Sequence, residues 1–262
     1  GVVATLGLSS CSDDYLDVTP TASLSPTTVY SSTDNVASAI NGLAYMMCKQ
    51  QEAYSQGYCG ENRIISIYNE YPSQEFRYNY YASGWSPIMN GKYYTRKSTS
   101  YCSYPWIYYY QIIAQANSII ANVDNAKGET PEKNFYKAQA LTFRAYSYVK
   151  LLELFTPRWQ DTNNGTAKGV VLRIDESTDD MPLSTVAECY AQIYADLDEA
   201  IANFKASGIE REKTDVWLPN INVAYGVYAR AALHKQDYAK AMTWYQKGVS
   251  QLEPTAMNNI GV

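Results

Sequence analysis

The stretch TPEKNFYKAQALTFRAYSYVKLLELFTP, Thr130 to Pro157, decides the fold class. Thr130-Pro131 puts a proline at the start of a helix, where its missing N–H is not needed. Ala138, Leu141, Ala145, Tyr148, Leu152 and Phe155 then alternate at steps of three and four, the spacing of one helix face. Pro157 ends the run, because a proline ring cannot continue the ladder. On the N-terminal side, Ile112, Ile113, Ala116, Ile119, Ile120 and Val123 make a second stripe, which begins at Pro105 and closes near Gly128. Earlier still, Val36, Ile40, Leu43 and Met47 follow Thr33 and Asp34, either of which is a cap residue. On the C-terminal side, Thr185 and Glu188 form a capping box for Val186, Tyr190, Ile193, Leu197, Ile201 and Phe204, and Gly208 closes that helix. A last pair covers 222–233 and 237–251, with the turn at Gln236-Asp237 and Pro254 beyond. Only the polar loop 160–183 carries an extended piece, Val170-Val171-Leu172. The pattern predicts an all-α protein of antiparallel helix pairs.

The last pair has the form of a tetratricopeptide unit: Tyr225, Tyr228, Ala229 and Ala232, then Ala241, Tyr245, Gly248 and Pro254. Small residues stand where two helices cross closely and large ones fill the gaps between them. Ala232 departs from the repeat, which usually has Tyr there.

The chain has 262 residues, 46% hydrophobic and 18% charged, enough for a large core and too apolar for disorder. Its 26 acidic and 21 basic residues give a net charge of −5, and no Lys/Arg run interrupts them. A partner made of phosphates needs the opposite balance, so nucleic acid is not expected. The single histidine, His234 near a helix end, removes most zinc and histidine-dependent chemistry, and neither a metal site nor a cofactor is expected. Arg144 reads as an internal helix anchor, and Asp179-Asp180 as a solvated pair in a loop. The 26 tyrosines are the anomaly.

Residues 1–11 end in Leu8-Ser9-Ser10-Cys11 after an uncharged apolar run. That is the form of a partial lipoprotein signal with its lipobox, in which the Cys11 thiol carries the lipid. Stable anchoring follows from two or more acyl chains. Residues 12–32, rich in Ser, Thr, Pro and Asp, read as an extended tether, and 33–262 as the helical body. Cys48, Cys59, Cys102 and Cys189 contain no CxxC pair. An exported protein permits disulfides, with Cys48–Cys59 the nearest pair, and buried free thiols fit equally well.

Within the body, about 54–104 forms a long Tyr-rich insertion mixed with Gly, Ser, Asn and Pro and without a sustained helical period. A sugar ring presents an apolar C–H face and a fringe of hydroxyls, which an aromatic face and a phenol or amide satisfy together. Trp85, Tyr80, Tyr81, Asn90, Tyr93 and Tyr94 are the candidate ligand-binding residues, with Arg77 as a polar partner. The competing explanation is that these aromatics pack the insertion onto the helices.

Several blocks, in order along the chain, resemble the SusD/RagB family of outer-membrane nutrient-binding lipoproteins. They are Cys11-Ser-Asp-Asp-Tyr-Leu-Asp-Val-Thr-Pro20, Gln115-Ala-Asn-Ser-Ile-Ile120, Ala138-Gln-Ala-Leu-Thr-Phe-Arg-Ala-Tyr-Ser-Tyr148, Ser184-Thr-Val-Ala-Glu-Cys-Tyr190 and Ala195-Asp-Leu-Asp-Glu-Ala-Ile201, followed by the helix pair from Ala224 to Gly248. The resemblance covers nearly the whole chain but only the N-terminal part of a family member. Phe155-Thr-Pro-Arg-Trp159 departs from the family's Phe-Gly-x-Val-Pro, and the family's C-terminal part is absent. The resemblance implies a SusD-like fold and a cell-surface lipoprotein in the outer membrane that is not an enzyme. It implies a lid over a SusC-like TonB-dependent transporter, with the tetratricopeptide face toward the transporter and the inserted loops around an oligosaccharide. A peptide-binding lid of the same fold and a purely structural tetratricopeptide scaffold are the alternatives.

Overall fold

The computed structural model describes residues 26–54, 57–75, 85–91 and 98–249. The helices are α1 Pro26–Val29, α2 Thr33–Met46, α3 Gly60–Ile65, α4 Ser86–Met89, α5 Ser100–Asn122, α6 Thr130–Phe155, α7 Val186–Ser207, α8 Ile221–His234 and α9 Tyr238–Val249. A π-helical turn, Ser66–Glu70, continues α3. No strand occurs among the described residues, only isolated bridges such as Lys168–Thr185. The all-α expectation holds.

Helix α6 is the axis of the fold, packed along α5 and α7 and reaching α2 and α8. Its face Ala138, Leu141, Ala145, Tyr148 and Leu152 is buried, and Ala140, Ser147 and Leu151 bury a second face. Helix α7 opens with the reciprocal cap: the Thr185 N–H donates to Glu188 Oε2 at 2.7 Å and the Glu188 N–H to Thr185 Oγ1 at 3.2 Å. Gly208 ends it in the left-handed conformation. Asn220 caps α8 by accepting from the N–H groups of Asn222 and Val223.

Arg144 on α6 is the internal anchor. Its Nε and Nη2 donate to Asp196 Oδ2 and Oδ1 of α7 at 2.8 and 2.6 Å, a bidentate pair buried at both ends. Its Nη1 donates to Asn117 Oδ1 of α5 at 2.8 Å and to the Ile174 carbonyl at 3.2 Å. Three helices and a loop thus share one guanidinium.

At the other end, Trp244 of α9 stacks on Tyr225 and Tyr228 of α8, with ring centroids 5.5 and 4.5 Å apart. Tyr245, the residue of the repeat pattern, is instead 53% exposed. Helix α9 is rotated so that its neighbour in sequence takes the filling role.

Two boundaries differ from the sequence reading. Within the span read as a tether, Pro26–Val29 is helical and the buried Tyr30 hydroxyl accepts from Gln115 Nε2 at 3.1 Å, and residues 12–25 lie outside the described residues. Helix α5 begins at Ser100, not at Pro105. Pro105 has no N–H for the Tyr101 carbonyl, its partner one turn back, and the Tyr68 hydroxyl donates to that carbonyl at 2.6 Å. A distant residue thus supplies the bond that lets the helix run through proline. The insertion also contains α3, α4 and the π turn. Cys48, Cys59, Cys102 and Cys189 are free thiols, so the Cys48–Cys59 option is not taken.

Candidate functional site

The insertion is built onto the end of α2. Gly60, the first residue of α3, has φ of 51°, and a Cβ there would lie 2.0 Å from the Met47 carbonyl oxygen. Only glycine allows this approach, in which the N–H groups of Gly60 and Glu61 donate to the carbonyls of Lys49 and Met47. The Tyr104 hydroxyl on α5 donates to the Gly60 carbonyl at 2.8 Å. Glu61, the next residue, is buried and accepts at Oε1 from the Tyr109 hydroxyl at 3.0 Å and from the Tyr146 hydroxyl. Burial raises its carboxyl above the usual carboxylate range, against the two phenol hydrogen bonds.

These anchors carry an aromatic cluster. Tyr54, Tyr58 and Tyr104 meet with ring centroids 5.1 to 5.3 Å apart, two of the three contacts edge-to-face. Trp85, half-buried at the start of α4, lies 5.4 Å from Tyr58, 6.0 Å from Tyr71 and 5.9 Å from Tyr101. Burial pushes the Tyr58 phenol up to about 12, so it remains a neutral donor at physiological pH.

The cation that the described residues bring to this cluster is Arg63. The Arg63 guanidinium sits 4.6 Å from the Trp85 ring centroid, donates through Nη1 to the Tyr71 hydroxyl at 2.6 Å, and through Nε to the Gly57 carbonyl. Its sequence signal was available: it is the one arginine between Tyr54 and Tyr71. A stacked Arg covers one face of the indole and orients the ring.

Of the sequence candidates, the structure brings Trp85 into the cluster and puts Asn90 at the far end of the same short helix, exposed. Arg77, Tyr80, Tyr81, Tyr93 and Tyr94 lie outside the described residues, as does Cys11. Tyr108 and Tyr109 are buried core. Asp179 and Asp180 are exposed, and His234 Nδ1 lies 3.3 Å from Glu153 Oε1. No group of metal-ligating side chains occurs among the described residues, and no helix there is long and apolar enough to cross a membrane.

A second feature was missed by sequence reasoning. Two cavities, of about 780 and 610 Å³, meet on the outer side of α5, where Gln111 and Ala114 line both.

Residues 14–233 match the model of a SusD-like family described as starch-binding and associating with the outer membrane. No curated protein matches the sequence. Among solved structures the chain is similar to a SusD-like carbohydrate-binding protein from Bacteroides vulgatus, at 20% identity and a TM-score of 0.69 over 85% of this chain and 45% of that one. A SusD superfamily protein from Bacteroides thetaiotaomicron matches at 22% identity and a TM-score of 0.61, over 84% and 46%. A laminarin-binding SusD-like protein matches at 16% identity and a TM-score of 0.60, over 83% and 43%. The chain spans about half the length of the solved structures it matches.

Proposed function

The chain belongs to the SusD-like family, described as starch-binding and associating with the outer membrane, and from that premise we propose that it captures oligosaccharides at the cell surface and passes them to a SusC-like TonB-dependent transporter. Cys11 carries the lipid anchor, and the protein performs no catalysis of its own. The Tyr-rich insertion supplies the capture site, with Trp85 as its stacking platform and Asn90 as an amide for sugar hydroxyls. Arg77, Tyr80, Tyr81, Tyr93 and Tyr94 belong to the same insertion and are proposed to line the site with them.

The observation that carries this reading is the Arg63–Trp85 stack, 4.6 Å from guanidinium to ring. It holds the half-buried indole in a fixed orientation, so little rotamer freedom is lost when a sugar stacks on it. The tyrosines beside it pair apolar rings with hydroxyls, the combination that a pyranose face and its hydroxyls require.

Affinity electrophoresis of the full-length protein through gels containing starch, laminarin or other polysaccharides tests the proposal. Retardation by at least one glycan is expected, with affinity lowered at least tenfold in Trp85→Ala. Because Trp85 also packs on Tyr58, Tyr71 and Tyr101, the exposed Asn90→Ala variant is run beside it, with a smaller loss expected and no change in fold. Glycan binding unchanged in both variants would move the site out of the insertion. Binding competed by a protein hydrolysate and not by free oligosaccharide would make this a peptide lid. Cys11→Ala is expected to abolish incorporation of labelled lipid.

A further inference from the structure

We propose that the groove across the outer side of α5 is a second carbohydrate site, distinct from the insertion and shaped for a neutral linear oligosaccharide. The proposal rests on the carbohydrate reading above and adds a separate surface to it. Tyr101, which touches Trp85, and Tyr110, which lines the groove, are nine residues apart on α5, about two and a half turns. They therefore face opposite sides of the helix, and one sugar residue does not touch both.

The floor of the groove is the α5 surface, where Ala114, the small residue common to both cavities, leaves the passage open. At one end Trp106 and Tyr110 supply aromatic surface. Trp106 is half-buried and held by Tyr110 and Phe155, with ring centroids 4.9 and 5.1 Å away. At the middle and the other end stand the amides of Gln111 and Gln115. Two joined cavities, each within the usual size of a small-molecule site, suit a chain of several sugar units better than a compact ligand.

The wall opposite α5 is the loop 171–181, and the buried Tyr148 and Asn117 with the half-buried Tyr110 fix it by its backbone. The Tyr110 hydroxyl donates to the Val171 carbonyl at 2.7 Å. The Tyr148 hydroxyl donates to the Arg173 carbonyl at 2.7 Å and accepts from the Arg173 N–H at 2.7 Å. Asn117 Nδ2 donates to the carbonyls of Arg173 and Asp175 at 3.0 and 2.8 Å. These anchors hold a surface loop without regular structure in place, and their effect is a preformed wall.

The rim charge selects the occupant. Asp175, Glu176 and Asp180 line one cavity, and in the other Glu52 is offset by Lys49, 3.8 Å from its Oε1, so the acidic end is the one beside loop 171–181. The Arg173 guanidinium, the cation nearest them in sequence, is turned to the carbonyls of Ser177 and Asp179. Carboxylates accept from sugar hydroxyls and repel uronates and other acidic chains.

The test is calorimetric titration of the full-length protein with a panel of neutral oligosaccharides of six or more units: α- and β-glucans, mannan, xylan and galactan fragments. Oligogalacturonate serves as the acidic control. Ala114 is exposed and lies in a helix, so Ala114→Arg fills the passage without touching the core. Ala121→Arg, on an exposed part of the same helix outside the groove, is its control. At least one panel member is expected to lose tenfold or more in affinity, or one of two sites, with Ala114→Arg alone. That component is expected to survive Trp85→Ala, and oligogalacturonate is expected not to bind.

Wild-type binding by Ala114→Arg together with loss in Trp85→Ala would overturn the groove and leave the insertion as the capture site. Loss in Ala114→Arg with no effect of Trp85→Ala would leave the groove standing and overturn the insertion. No binding to any member overturns both, and occupancy displaced by a protein hydrolysate but by no glycan overturns the sugar assignment of the groove.

Discussion

Segment 57–71 lies on one side of α5 and segment 171–181 on the other, and the two are fastened to the helical frame by the same chemistry used in different proportions. On the insertion side a few single bonds, Tyr104 to Gly60 and Tyr68 to Tyr101, accompany a stack of rings around Trp85. On the groove side ring contacts are few and the backbone is gripped atom by atom, by Tyr110, Tyr148, Asn117 and Arg144. A tyrosine suits both tasks, because its ring fills core volume while its hydroxyl reaches a loop carbonyl that would otherwise be buried unpaired. Tyr68, Tyr104, Tyr110 and Tyr148 therefore serve as fasteners as well as core or packing residues. The groove side should be the stiffer of the two.

The largest expected effect breaks the groove side. Arg144→Met leaves the Asp196 carboxylate buried without its partner and frees the Ile174 carbonyl, at a cost of about 3–5 kcal/mol in urea denaturation. Hydrogen exchange should rise in 171–181 and stay unchanged in 57–71. The double variant Arg144→Met/Asp196→Leu should recover much of the loss, since the unpaired charge, rather than the missing pair, is what destabilises. A loss under about 1 kcal/mol in the single variant would mean that the pair does not organise this wall.

A sharper comparison removes one oxygen from each side. Tyr104→Phe and Tyr110→Phe keep their rings and lose one hydroxyl-to-carbonyl bond each, for about 1 kcal/mol apiece. Local exchange should rise around Gly60 in the first variant and around Val171 in the second. If both variants loosened the same segment, the two sides would not be independent.

The frame was legible in the sequence and the fastenings were not, for a physical reason. Helices α6 and α7 bury residues at helical spacing over many turns, and Thr185 with Glu188 announces the start of α7, so local pattern suffices. Tyr68 reaches Tyr101 across 33 positions and Tyr146 reaches Glu61 across 85, distances at which one sequence carries no pairing signal. The boundary set at Pro105 failed for that reason: the rule that proline opens a helix is local, and the bond that overrides it comes from the insertion. Among the described residues of the candidate site, Trp85 and Asn90 were singled out by residue type and Arg63 was not. The groove was invisible because its wall is made of loop backbone, which has no period, and its floor is a helix face of mixed polarity.

The smallest expected effect concerns the carboxylate beneath the aromatic cluster, and its sign follows from burial. Glu61 holds its proton more tightly in the folded chain than in the unfolded one, because desolvation outweighs the hydrogen bonds from Tyr146 and Tyr109. Between the ordinary carboxylate pKa and the raised one, the folded state therefore binds more protons, and stability falls as pH rises through that window. Above the window the full penalty of the buried charge persists. In Glu61→Gln the amide oxygen still accepts from both phenols, and the amide nitrogen replaces Oε2, a buried atom without a hydrogen bond in the wild type. The variant should match the wild type at the acid end and gain on it toward neutral pH, read as urea midpoints from about pH 4 to about pH 8. A gap that does not change with pH would show that Glu61 titrates alike in both states, and that the insertion rests on a carboxylate more solvated than its packing indicates.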